Sequence, residues 1–255
     1  MTIDDFLKIK HQNISDVERF FSDKIKNLNE LHLVLLKYSI PFFKNDENDL
    51  LYYGETTLER QNEIIIFENN SSLFLLFDGI LTLLADANYL AIKMLQRSIF
   101  EFLIVNNHLI LTQDFKYVDN WVNGKDIKIV KNILKRTDNE KSSDLIRFWV
   151  TLSKQSHASP MTTQSGLDMN ETYGEYIDNI FTTYILLYFY NYQLRELYFP
   201  FMQSVYKKMD INIKIPYKSD WFKKKDLIRE LERPNNNENL YQLIEAFEYK
   251  WKLKK

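Results

Sequence analysis

The sequence predicts an all-α protein, an antiparallel helical bundle closed by a C-terminal helical hairpin, and three observations predict it. Apolar residues recur at steps of three and four along most of the 255 residues. Glycine and proline number only five each, and hydrophobic residues make up 45% of the chain against 27% charged. The spacing is that of helices with one buried face. So few turn formers do not suit a many-stranded sandwich or barrel, and they leave no Gly-rich loop to cradle a phosphate. The apolar share suffices for a sizeable core and the charged share for a soluble surface, which excludes global disorder. At this length a single core is near its limit, so the expected division is one bundle over residues 1–209 and an extension with a helical hairpin over 210–255, packed on it.

The elements follow in order. Ser15 with Glu18 three positions on forms a capping box, and Val17, Phe20, Phe21, Ile25, Leu28, Leu31 and Leu35 follow at helical steps. A helix is predicted over 16–38, stopped before Pro41. The charged, irregular stretch 42–53 reads as an exposed loop. A second helix is predicted from Thr56 or Thr57 through Ile64, Ile65 and Ile66, with residues 69–72 leaving one bent helix and two helices as alternatives. Leu73, Phe77, Ile80 and Leu84 make one apolar stripe, and Leu90, Met94, Phe100 and Ile104 make the next. These are expected to pair antiparallel at the centre of the bundle, with Asp86 or a polar neighbour capping the junction.

Phe115 to Trp121 suits a short helix ended by Asn123 and Gly124, and Ile127, Ile129, Val130, Ile133 and Leu134 suit another. Ser142 or Ser143 caps a helix through Leu145, Ile146, Trp149, Val150 and Leu152. It should end near Ser159-Pro160, since proline steers its predecessor away from helical geometry. Residues 161–169 are the principal loop, and a long aromatic helix over about 171–208 follows, with Asn191 and Pro200 as the places where it can break. Its aromatic residues cover several faces, which predicts burial deep in the bundle or against a second copy. Segment 210–217 alternates apolar and polar residues, placing Ile211, Ile213 and Ile215 on one side. It reads as an extended linker laid on the bundle, with pairing into a sheet as the alternative. Helices near 219–232 and 237–253 make the hairpin.

Composition also limits function. The chain has no cysteine, which excludes a disulfide framework, thiol catalysis and a cysteine zinc site. Net charge is -2, so nucleic-acid binding has no global electrostatic basis. The local basic groups are Lys207 with Lys208, the run Lys223, Lys224 and Lys225, and the tail Lys250, Lys252, Lys254 and Lys255. Asp78, Asp86, Lys93, Arg97 and Glu101 interrupt the apolar stretch 72–105, and each would cost roughly 2.5 kcal/mol or more at a bilayer centre. The aromatic stretch 179–194 is shorter than a span needs. No membrane insertion is expected. Residues 1–10 carry Asp4, Asp5, Lys8 and Lys10 without an apolar stretch behind them, which is not a secretory signal, and a cytoplasmic location is the expectation.

Two constellations carry the candidate chemistry. Arg97 and Glu101 stand four apart on one helical face with Leu90, Met94 and Ile104, and His108 continues that face. In apolar company the ion pair should be mutually satisfied, as a structural or ligand-orienting pair. His157 shares a face with Ser153, and Arg147 projects from an adjacent face. At the end of its helix His157 can carry charge and bind an anion such as phosphate, with Arg147 and Ser153 as further donors, or it can cap the helix. A serine and histidine without an orienting acid do not make a hydrolase. His108 and His157 with Glu101 and Asp86 lack the spacing of a helical metal site, so no metal and no cofactor are expected.

The order of these residues is similar to that in a family of uncharacterised bacterial helical proteins related to the HEPN group. An apolar helix carries Arg97-Ser98-Ile99-Phe100-Glu101. A later one carries Leu152-Ser153 and His157-Ala158-Ser159-Pro160, and a loop into a long aromatic helix follows. The resemblance covers about residues 60–200. It implies a HEPN-like bundle that dimerises and, by wider analogy, RNA cleavage in toxins or phage defence. Active members place an Arg and a His close together on one helix. Here nine residues stand between Arg147 and His157, the nearest partial match. His157, Arg147 and Ser153 are therefore the catalytic candidates, and Arg97, Glu101 and His108 the orienting or structural ones. The function expected first is a helical scaffold or regulatory interaction protein, homodimeric through the aromatic stretch 176–202. A HEPN-like RNA-binding protein or metal-independent ribonuclease is the alternative, so the partners to look for are a second copy, RNA or another protein.

Overall fold

A computed structural model describes residues 2–39, 58–113, 128–136, 141–156, 172–208, 222–231 and 237–249. Among these residues 93% are helical and none is in a strand. Eight α-helices are present among them: α1 (Ile3–Ser39), α2 (Leu58–Ala85), α3 (Tyr89–Thr112), α4 (Ser142–Ser156), α5 (Thr172–Gln193), α6 (Phe199–Lys208), α7 (Lys224–Leu231) and α8 (Asn237–Glu248). Short π-helical segments lie at Val130–Leu134 and Leu194–Tyr198.

Helix α1 begins about four turns earlier than the Ser15–Glu18 box suggests. The operative box is Thr2 with Asp5: Thr2 N donates to Asp5 Oδ2 at 2.8 Å and Asp5 N donates to Thr2 Oγ1 at 3.2 Å. Those bonds also hold the Asp5 carboxyl below its ordinary pKa. Nothing between Ile3 and Ile14 breaks a helix, so Ser15 falls inside one. The buried stripe of α1 is Val17, Phe21, Leu28 and Leu35. Residues 2–12 lie beyond it and are exposed wherever their side chains are described.

Helix α2 is continuous through 69–72, which settles the alternative in favour of one helix. Ser71 Oγ turns back onto the Phe67 carbonyl at 3.2 Å, and Asn69 and Asn70 are buried. The α2–α3 turn closes as a Schellman motif, Ala87 N to Leu84 O and Asn88 N to Leu83 O. Ala87 takes the left-handed position at φ 52° where glycine is usual, at a cost of roughly 1 kcal/mol. Asn88, rather than Asp86, caps α3 by accepting from Ala91 N. Gly79 sits at the close approach of the pair, where a Cβ would meet Leu95 at 3.2 Å.

The α2–α3 pair is central. Helix α1 packs on α2 and α5, while α3 is flanked by α4 and α5. Residues 172–208 run as one helix, through Asn191 and past Pro200. Proline has no N–H and crowds the carbonyl four residues back. The π segment just upstream, where Phe199 N bonds Leu194 O, widens the ladder at that point and absorbs the mismatch.

Helices α7 and α8 both pack on this long helix, and α8 also packs on α4. Phe247 stacks on Phe189 at 4.1 Å, Tyr188 OH donates to Glu248 Oε1, Tyr192 OH donates to Glu248 O, and Asn191 Nδ2 donates to Phe222 O. Tyr184, Tyr188 and Phe189 are covered in part by this terminal segment, whereas Tyr176 packs on Phe21 and Tyr89, and Tyr190 on Phe77. By length and composition one described stretch, Glu63–Ala85 in α2, is apolar enough to cross a membrane. Its buried face of Ile66, Leu73, Phe77, Ile80 and Leu84 is part of the core. The expectations for 42–53, 115–124, 159–169 and 210–217 fall on residues outside those described.

Candidate functional site

The α3–α4 contact gathers part of the expected site. The two helices run antiparallel, so Glu101 lies level with Trp149 and Arg97 with Ser156. Arg97 Nε donates to Glu101 Oε1 at 2.9 Å, and the same oxygen accepts from Trp149 Nε1 at 3.0 Å. The guanidinium also lies over the Trp149 ring, 5.6 Å from its centre. Its Nη1 reaches Ser156 Oγ at 3.5 Å, and that hydroxyl donates to the Ser153 carbonyl at 3.2 Å. Arg97 and Glu101 keep 27% and 22% of their side-chain surface, so the pair sits at a rim, neither sealed nor free. Leu90 and Met94, further along the face, are exposed, whereas Ile104 and His108 at its other end are buried. The face named from spacing thus dives from solvent into the core along α3.

The other candidates separate. Ser153 is buried and its hydroxyl has no hydrogen-bond partner among the described residues. Arg147 is exposed and pairs with Asp144, one turn away. Six residues along a helix carry a side chain about 120° around it from its start, so the two do not converge. His157 lies outside the described residues. His108 stands 3% exposed inside the bundle, and Thr112 Oγ1 donates to its carbonyl at 2.7 Å. Among the described residues no three His, Asp or Glu side chains group closely enough to share a metal ion.

Spacing did not reveal a buried polar seam between α3 and the long aromatic helix. Gln96 Nε2 donates to Asn179 O at 2.8 Å and Thr183 Oγ1 at 3.1 Å. Gln193 Nε2 donates to Leu103 O at 2.9 Å and Asn107 Oδ1 at 2.5 Å. These buried donors fix the register of two apolar helices, while Asn107 Nδ2, Asn179 Nδ2 and Gln193 Oε1 have no hydrogen-bond partner among the described residues. The available signal was Gln96 and Asn107 sharing a stripe of an otherwise greasy helix.

Chemically, the rim offers a guanidinium already neutralised by a carboxylate and stacked on an indole. That arrangement ties α3 to α4. Comparison with family models, with curated proteins and with solved structures finds no match to this chain.

Proposed function

We propose that this protein is a helical interaction scaffold, built on a HEPN-like bundle and working by presenting a helical surface to a partner. One observation carries the proposal. The first three turns of α1 stand outside the core, yet they carry Ile3 and Leu7, 79% and 44% exposed, four residues apart on one face. An apolar stripe that contributes nothing to its own fold is what an association surface looks like. The polar candidates support this reading: Arg97, Glu101, Trp149 and Ser156 bond across α3 and α4, and Arg147 bonds within its own turn. The test is the stability of an Ile3→Ser, Leu7→Ser double variant. Unfolding within about 0.5 kcal/mol of the parent supports an association surface, because exposed positions are near neutral. A loss above about 1 kcal/mol means those side chains pack inside the chain, and the reading fails.

The second reading is a metal-independent ribonuclease of HEPN type. It is favoured by Ser153, whose buried hydroxyl stands one turn from the Arg97 to Ser156 contact. RNA cleavage in EDTA that disappears in His157→Ala would replace the scaffold reading with this one.

A further inference from the structure

Three elements far apart in sequence meet around one small cavity. Asn13, Asp16, Phe20 and Phe21 come from one face of α1, Tyr89 is the first residue of α3, and Tyr176 lies near the beginning of α5. Val17 completes the lining among the described residues. The cavity measures about 60 Å³. One water needs roughly 10–15 Å³ of such space, so about four to six non-hydrogen atoms fit.

The lining is aromatic and acidic. Tyr176 is a fixed wall, 1% exposed, with its hydroxyl donating to the Leu84 carbonyl at 2.6 Å. The Phe21 ring lies 4.7 Å from it at an inclination of 50°, and the Tyr89 ring 5.5 Å from it, edge-on at 80°. Rings inclined in this way make a corner rather than one flat face. Phe20, 53% exposed, keeps one side open to solvent. Asp16 Oδ1 accepts from Gln12 Nε2 at 3.0 Å, which steadies the carboxylate, and among the described residues no cation pairs with it. Neither lysine, arginine nor histidine is among the lining residues.

We propose that this cavity binds a small alkylated ammonium ion, a head group of the trimethylammonium kind. Aromatic rings attract a cation held within about 6 Å of the ring centre, and quaternary ammonium groups are recognised by several rings at once. Phe20 already shows this attraction. Arg19, which does not line the cavity, holds its guanidinium 5.1 Å from the centre of that ring. Asp16 supplies the opposite charge and disfavours an anion. Size agrees as well, since a nitrogen with three or four methyl groups falls within the available space, whereas an aromatic ligand exceeds it. The site is independent of the Ile3 and Leu7 face described above, and either can fail alone.

The test is titration of choline into the full chain, followed by NMR, beside its uncharged isostere in which carbon replaces the nitrogen. The parent is compared with Asp16→Asn and Phe20→Ala; both side chains are partly exposed, so neither substitution empties the core. Saturable binding with a Kd of roughly 1 mM or below is expected, with N-methyl protons close to the ring protons of Tyr89 or Tyr176. Each variant should weaken it by about fivefold or more, and the uncharged isostere should bind about tenfold more weakly. No saturation by about 20 mM, equal binding of the uncharged isostere, or unchanged affinity in both variants overturns the proposal. Phosphatidylcholine vesicles distinguish the source of the cation. Co-sedimentation that is lost in Asp16→Asn identifies a lipid head group, and choline binding without co-sedimentation identifies a free solute.

Discussion

Glu101 joins two helices through one oxygen, which accepts from both Arg97 and Trp149. Hydrogen bonds to a charged group contribute about 1.5–3 kcal/mol when enclosed, and exposed ion pairs about 0–1. At 22% exposure Glu101 lies between these cases. Glu101→Ala should therefore cost about 1–2 kcal/mol in urea unfolding, and Arg97→Ala less, because Glu101 then keeps its indole donor; a loss below about 0.5 for Glu101→Ala would mean that water screens the whole cluster. His32 makes a different prediction. Its ring stacks on Phe74 at 4.3 Å, is 3% exposed, and has no hydrogen-bond partner among the described residues. Burial pulls its pKa down to about 4, against a weaker opposing pull from Asp78. The unfolded chain takes up that proton near pH 6.5. This contribution is therefore complete above about pH 6.5 and is lost as pH falls towards 4, by up to about 1.4 kcal/mol per pH unit. His32→Leu should flatten the fall in stability between pH 6.5 and 5, and an unchanged slope would show that the folded ring protonates freely. Of these residues the Arg97–Glu101 pair was legible in the sequence, because its geometry is local to one helix. Trp149 as third member and Phe74 as the platform under His32 were not, because tertiary packing alone brings them there.

Elements followed the apolar period where it was long and strayed where a local signal competed with it. The α2–α3 pair, α4 and the two terminal helices were readable from their stripes. The start of α1 was not: two capping boxes lie in tandem, and choosing between them requires knowing that a helix can run three turns past its core. The passage of the long helix through Pro200 was also hidden, because the π segment that accommodates it has no marker in composition. The hairpin carries the clearest energetic prediction at this scale. Phe247 is 1% exposed, stacks on Phe189, and meets Tyr192 edge-on. Truncating such a ring leaves a cavity and loses about 3–5 kcal/mol. Phe247→Ala should therefore unfold at a clearly lower denaturant concentration, with α8 first to lose protection. A loss below about 1 kcal/mol would mean that the hairpin only rests on the bundle.

At the scale of the molecule, the bundle is self-contained from Val17 of α1 to Glu248 of α8, and α1 continues past that boundary. The overall class was legible because helical period and scarce turn formers act over the whole chain. The candidate site was legible only in part: Arg97 and Glu101 meet, Arg147 and Ser153 diverge around α4, and His157 lies outside the described residues. Helix α1 is one helix with two environments: Val17, Phe21, Leu28 and Leu35 are held in the core, and residues 2–12 stand outside it. Deuterium uptake of the intact protein, followed for peptides covering 2–12 and 17–35, tests this most directly. Slow exchange is expected over 17–35 and fast exchange over 2–12. Equal protection of 2–12 and 17–35 in dilute solution would contradict it, because residues 2–12 would then be packed within their own chain.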